Sequence, residues 1–171
     1  MGGGPRDKDH IYGIPNLSDA DKLRVAFGNQ TMLVSVDIIR ICRALKIPCC
    51  LENPSTSYAW LAPPLAQLVT QGHTSISDFC QYGKPWRKRT CVVAWNIEPS
   101  LMPCKKCTGR GTCSRSHKPH IILTGTHPTL HIAMTKYAEP YPISWVHKWW
   151  NCLDNASFAS SCVQSHARWL G

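Results

Sequence analysis

Residues 34–54, VSVDIIRICRALKIPCCLENP, hold a helical pattern that passes directly into a short apolar run. Apolar residues recur every three or four positions over 31–46 and predict a well-buried helix: Val34, Ile38, Ile41 and Leu45. Ile47–Leu51 is too short for a second helix, so we expect a central strand with Glu52 at its carboxyl end. A helix followed by a buried strand is typical of an α/β fold.

The flanking sequence continues this alternation of helices and strands. Upstream, Ser18 and Asp21 form a capping-box pattern that predicts a short helix ending at Gly28-Asn29. Downstream, Pro63-Pro64 predicts the start of another helix and Gly72 its end. Further strands are predicted over 74–81, 90–97 and 121–123, and helices over 144–150 and the last dozen residues. We expect four segments: a flexible 1–16, an α/β core over 17–97, a Cys/His-rich insert over 98–120, and a C-terminal strand with helices over 121–171.

Composition restricts the class of protein. The chain has 171 residues, of which 43% are hydrophobic, which excludes disordered and fibrous proteins. Its formal net charge of +9 favours acidic partners: nucleic acid, anionic membrane or an acidic protein surface. Because no long uninterrupted apolar run and no apolar stretch behind the N-terminal charges occur, we expect neither membrane span nor secretory signal, and an intracellular location. Its 10 cysteines are then reduced thiols that point to metal or catalysis.

Glu52-Asn53-Pro54 is the first candidate for chemistry. A carboxylate at the end of a buried parallel strand lies where open α/β sheets bind their ligands. The alternative is a loop carboxylate that caps the turn before Ser55-Thr-Ser57.

The second candidate is the segment 82–89, YGKPWRKR, which runs directly into the strand predicted over 90–97. Successive strand residues point to opposite faces, so Arg87 and Arg89 can point the same way. Two guanidinium groups on one side suit a phosphate or a base edge. A solvated run of charge is the alternative interpretation.

These motifs together resemble the second half of the catalytic domain of cytosine-C5 DNA methyltransferases, and their residues are similar to those of a phage and large-virus branch of that superfamily. The likeness covers about residues 30–120 and depends on short motifs. It implies that Glu52 and Asn53 are catalytic, with Glu52 contacting the ring nitrogen of a flipped-out cytosine. It also implies that Tyr82, Arg87 and Arg89 hold the base and nearby backbone, and that S-adenosylmethionine is the cofactor.

Two parts of the family's pattern are absent from the sequence: the Phe-x-Gly-x-Gly cofactor motif and the Pro-Pro-Cys nucleophile loop. We therefore expect a partial Rossmann-like methyltransferase sheet and a truncated methyltransferase-like protein that does not methylate DNA alone. DNA is the expected partner, together with a missing N-terminal half or a partner chain. The alternatives are a non-catalytic, zinc-containing nucleic-acid-binding module and an inactive relic.

The third candidate lies in the 98–120 insert. Thiols and imidazoles at this density, inside a basic loop, suit tetrahedral zinc in a knuckle-like turn: Cys104, Cys107, Cys113, His117 and His120. The spacing leaves the fourth ligand open between the two histidines. Incidental thiols in a basic loop are the alternative; with zinc bound, the surrounding cations would face phosphates.

Overall fold

A computed structural model describes residues 4–167, with side chains described for 4–156. It contains both helices and strands, so the mixed helix-and-strand class predicted from the sequence is confirmed, whereas the predicted partial Rossmann-like sheet is not. The helices are α1 (Asp19–Ala44), α2 (Pro63–Val69), α3 (Met134–Tyr137) and α4 (Ile143–Ala167). The strands are β1 (Cys49–Pro54), β2 (His73–Asp78) and β3 (Arg89–Trp95). Residues 168–171, where the predicted C-terminal helix ends, lie outside the described part of the chain, and 121–123 form no strand.

The sheet has three strands in the order β1-β3-β2, and both pairings are antiparallel. The prediction of a central strand at Ile47–Leu51 is wrong: β1 lies at the edge, and Glu52 sits within it, opposite Val92. The central place belongs to β3, which is buried from Thr90 to Trp95. A strand with neighbours on both edges and packing on both faces needs such a continuous apolar run.

The two faces of β3 belong to two layers of the core. Side chains alternate along a strand, so Val93 and Trp95 pack with α1 and α2, against residues such as Leu65. Val92 and Ala94 point the other way and pack in one cluster with Trp145 and Trp149 of α4. The sheet therefore lies between α1 with α2 on one side and α4 on the other.

Helix α1 begins as predicted, because the Ser18 side chain accepts a hydrogen bond from the Asp21 backbone N–H. It does not end at Gly28, as the sequence predicted, but continues to Ala44. The guanidinium of Arg6 lies against Gly28 and donates to the Val25 carbonyl at 3.1 Å and to the Asn29 side chain at 2.8 Å. The glycine therefore makes room for an arginine instead of ending the helix.

The apolar face of α1 that the sequence assigned to the core is exposed, which corrects that prediction. The buried residues are Val25, Val36 and Ile39, on the opposite side of the helix. By length and composition, α1 is also apolar enough to cross a membrane, a test that soluble core helices and N-terminal signal sequences pass as well. The absence of a membrane span stays a prediction.

Candidate metal centre

Four side chains from two distant segments meet beside the sheet: Cys80, Cys107, Cys113 and His120. Cys80 lies in the short helical turn after β2, and the other three lie on the long loop after β3. Their ligand atoms all lie within 4.8 Å of one another, and the three cysteines are buried. This group could hold a metal ion.

The donor set fits zinc. Zinc bonds of about 2.3 Å to sulfur and 2.0–2.1 Å to nitrogen, at tetrahedral angles, place two such ligands roughly 3.6 Å apart. The Sγ of Cys107 and the Nε2 of His120 are 3.7 Å apart. Three thiolates and one imidazole would supply the four ligands of a zinc ion and leave no position for water, as in structural sites.

Three of these residues lie on one loop, residues 104–120, here called the metal loop, which folds by close backbone contacts. Cys113 N–H donates to the Lys118 carbonyl at 2.8 Å, and His120 N–H donates to the Gly111 carbonyl at 2.9 Å. At Gly109 a side chain would collide with the carbonyl oxygen of Thr112. The loop therefore requires glycine at position 109, and its reversal carries His120 back towards Cys107.

The local hydrogen bonds prepare two of the thiols for metal. Burial opposes ionisation of Cys107, but the Ser114 hydroxyl and backbone N–H both donate to its sulfur, and its pKa falls to about 7. Burial likewise opposes ionisation of Cys113, and backbone N–H groups of Arg115 and Ser116 lower its pKa to about 7. Burial raises the pKa of Cys80 to about 12. The third thiolate therefore needs the positive charge of the metal to form.

A buried carboxylate, Asp78, ties this loop to the sheet. Arg89 donates to both of its oxygens, at 3.1 and 3.0 Å, and Arg87 lies 3.4 Å from one of them. The same carboxylate accepts the Cys107 backbone N–H at 2.7 Å. Burial would raise the pKa of Asp78, but the arginines and this backbone bond outweigh it and hold the pKa below its usual value. Asp78 therefore stays ionised and fixes the backbone of Cys107, a candidate metal ligand.

Arg87 extends this clamp from the sheet into the loop. Its guanidinium donates to the Cys107 carbonyl at 2.9 Å and to the Gly109 carbonyl at 3.3 Å. The two arginines do share one side of the strand start, as the sequence suggested. Arg89 pairs with Asp78, and Arg87 contacts both Asp78 and the metal loop; the substrate role that the resemblance implies for these two arginines stays a prediction.

Two of the five predicted metal ligands lie outside the group. Cys104 is exposed and lies outside the group, whose third thiol is Cys80. His117 is exposed at a positive φ of 56°, at the outer end of the reversal, whereas His120 points inward. Sequence spacing missed Cys80 because 27 residues separate it from Cys107; its position directly after a buried strand was the available signal.

The other predicted site residues lie around the sheet. Glu52 Oε2 accepts a hydrogen bond from the Tyr141 hydroxyl at 2.7 Å, while its Oε1 is buried without a described partner. Asn53 is half-buried and pairs with Cys91 in the sheet. Tyr82 is buried, and its hydroxyl accepts the Lys105 backbone N–H at 3.2 Å. Tyr82 therefore supports the start of the metal loop.

Tyr141, which the sequence analysis did not single out, lies beside Glu52 with its ring packed on other aromatic side chains. It stacks on Trp145 with ring centroids 5.4 Å apart. The Lys88 ammonium lies over the Tyr141 ring at 5.9 Å. Burial, followed by the neighbouring Glu52 carboxylate, raises the pKa of Tyr141 to about 12.

No protein family, curated protein or solved structure matches this chain. The likeness to cytosine methyltransferases therefore depends on the motifs alone. What can be argued about function comes from the metal centre and the charges around it.

Proposed function

We propose that this chain is a nucleic-acid-binding module in which a zinc ion fixes the shape of a basic surface. The observation that carries the proposal is the excess of free cations on the metal loop. Five exposed basic side chains surround the ligands and make no ion pair among the described residues: Lys105, Lys106, Arg110, Arg115 and Lys118. No Asp or Glu occurs between Pro99 and Ala138. Such a surface favours a polyanion, which releases counterions when it binds.

A cavity beside the loop adds a place for a phosphate. It has a volume of about 410 Å³ and lies between the start of the metal loop and α4. The two charged residues that line it are Lys105 and Lys148. Neutral polar side chains line it as well: Ser100, Asn151 and Asn155. A site with two ammonium groups and no carboxylate suits an anion.

The metal's part in this function is structural, because four protein ligands leave no open coordination position. Asp78, Arg87 and Arg89 hold the metal loop against the sheet, and their charges pair with one another within the fold. The exposed cations of the loop are left to contact phosphates. The nucleic acid is expected to bind mainly through its backbone, with weak dependence on sequence.

Duplex binding measured at several salt concentrations tests the proposal. Each phosphate contact contributes about 0.9 to the slope of log affinity against log salt. The double variant Arg110→Gln with Arg115→Gln should reduce the steepness of that slope by about 2. Arg24→Gln with Arg40→Gln removes the same charge from exposed positions on α1 and should leave the slope unchanged. A binding constant that does not depend on salt, or equal effects of both pairs, would refute the proposal.

A second candidate function, a cytosine-directed methyltransferase fragment, is favoured by Glu52. Its carboxylate has one buried oxygen without a described partner and lies beside the Tyr141 ring. Such a carboxylate beside an aromatic face suits an extruded base. Methyl transfer needs in addition a bound S-adenosylmethionine and a nucleophilic thiolate, for which the sequence shows no motif.

A radiolabelled methyl-transfer assay on the chain separates the two functions. We expect no incorporation by the chain alone. Cytosine-dependent incorporation that disappears in Cys49→Ala would show that the nucleophile is present, and would replace the binding module by an active enzyme.

A further inference from the structure

The cavity between the metal loop and α4 is lined by two chemically different sets of residues. The first set combines two ammonium groups with two carboxamides, and three of its members share one face of α4 at spacings of three and four residues: Lys105, Lys148, Asn151 and Asn155. The second set is apolar or aromatic and comes mainly from the segment just before the metal loop: Leu101, Met102, Pro103 and Tyr82. The lining therefore suits a ligand that has both an anionic group and an apolar body.

The cavity is also larger than a phosphate needs. Its volume of about 410 Å³ falls within the range of roughly 300–1,000 Å³ that is typical of small-molecule sites. A bare phosphate would leave most of this space to water, and it would make no use of the apolar residues. A nucleotide carries a sugar and a base on its phosphate and fits this space better.

Hydrogen bonds outside the cavity hold its lining in place. The Pro103 carbonyl accepts from the Ser75 hydroxyl at 2.5 Å and from the Ser77 hydroxyl at 2.9 Å, so this segment is fixed to β2. The Lys105 backbone N–H donates to the Tyr82 hydroxyl at 3.2 Å. Within the described part of the chain, the side chains of the lining lysines and asparagines make no hydrogen bond or ion pair. The site is therefore preformed with free donors, which lowers the cost of binding.

We propose that this cavity binds one unpaired nucleotide, an inference that rests on the proposed nucleic-acid function and extends it to overhangs and bulges. Lys105 and Lys148 pair with the phosphate. The carboxamides of Asn151 and Asn155 offer the donors and acceptors that match the edge of a base. Bases inside a duplex are stacked and paired, so only an unpaired nucleotide can place both its phosphate and its base here.

The position of the cavity favours a nucleic acid over a phosphorylated peptide, which carries the same anionic group. Lys105 belongs both to the exposed cations of the metal loop and to the cavity lining. A strand whose backbone lies on that basic surface therefore passes the cavity entrance. The two carboxamides also match a planar base, whereas a phosphorylated side chain offers them no such edge.

Calorimetric titration of the zinc-loaded chain with adenosine monophosphate tests the cavity. We expect this nucleotide to bind at least about tenfold tighter than inorganic phosphate, adenosine or phosphoserine, because each of these lacks one part of the ligand. Asn151→Asp, and independently Asn155→Asp, place a carboxylate beside the phosphate and should each weaken the nucleotide by at least about tenfold. Gln30→Glu adds the same charge to an exposed position of α1, across the sheet, and should leave the affinity unchanged. Circular dichroism checks that each variant folds.

Oligonucleotides separate this inference from the proposed function. A duplex with an overhang and one with a bulged nucleotide should each bind more tightly than a blunt duplex, and Asn151→Asp should abolish that preference while blunt-duplex binding keeps its salt dependence. Absence of mononucleotide binding, equal affinity for phosphate or phosphoserine, or equal effects of Asn151→Asp and Gln30→Glu would overturn the nucleotide site and leave the basic surface standing. A chain that binds the mononucleotide but no duplex would support the cavity site and overturn the basic surface.

Discussion

Replacement of Asp78 by Asn tests whether the buried carboxylate holds the metal loop on the sheet. Asn has nearly the same shape, and its amide oxygen can still accept the Cys107 N–H, but the change removes the negative charge and puts an NH2 donor where the other oxygen accepts from Arg87 and Arg89. Removing one partner of a buried ion pair costs about 3–5 kcal/mol. Here the carboxylate is fully buried, but the side chains of Arg87 and Arg89 are 32% and 43% exposed. Because water can still solvate the two partly exposed guanidinium groups, the cost is smaller than for a fully buried pair. We expect the free energy of unfolding to fall by about 2–3 kcal/mol.

Urea unfolding of the zinc-loaded protein, followed by tryptophan fluorescence, measures this loss. The control is Asp37→Asn, which breaks the exposed pair with Arg40 and should cost no more than about 0.5 kcal/mol. Asp78→Asn should also weaken zinc binding, because the Cys107 N–H keeps only an uncharged acceptor and the two arginines no longer pair with a carboxylate beside the metal loop. A cost at Asp78 below about 1 kcal/mol, or equal to that at Asp37, would show that the carboxylate does not anchor the loop.

Three further predictions follow from the site. Cys80→Ser should remove stoichiometric zinc, measured by elemental analysis, whereas Cys104→Ser should not; the reverse result would restore the ligand set expected from sequence spacing. Gly109→Ala should weaken zinc binding at least tenfold in a chelator competition, since its methyl group would meet a backbone carbonyl of the same loop; unchanged affinity would contradict that packing. Glu52→Gln should lower the pKa of Tyr141 from about 12 towards its usual 10, because the carboxylate disfavours the phenolate. Absorbance near 295 nm follows the titration, with Tyr141→Phe identifying the signal, and an unmoved midpoint would argue against the contact.

Local signals in the sequence predicted local structure well. The start of α1 could be read from Ser18 and that of α2 from Pro63, because capping and proline geometry act within a single turn. The sequence placed the candidate metal centre in the 98–120 insert from its thiols and histidines, of which Cys107, Cys113 and His120 belong to the group and Cys104 and His117 do not. Their spacing is short, and glycine between them allows the chain to turn.

Features that depend on distant parts of the chain could not be read in this way. Helix α1 has two apolar faces, and only the packing of α2 and the sheet decides that Val36 is buried and Ile38 exposed. Strand order depends on which segment offers the most continuous apolar run, a comparison among all three strands. Cys80 and Asp78 were missed because each acts on a loop that is more than 20 residues away in sequence.

The metal ligands also have a topological consequence. An ion held by Cys80 and His120 would close a loop of about 40 residues that contains the whole of β3. While bound, it would restrict the chain as a disulfide does, and closing a loop of this length is worth up to about 4 kcal/mol of chain entropy. Since one ligand comes from the turn after β2, an excised 104–120 peptide would hold only three of the four. Coordination would therefore be completed by tertiary folding, and loss of the ion would release the central strand as well as the loop.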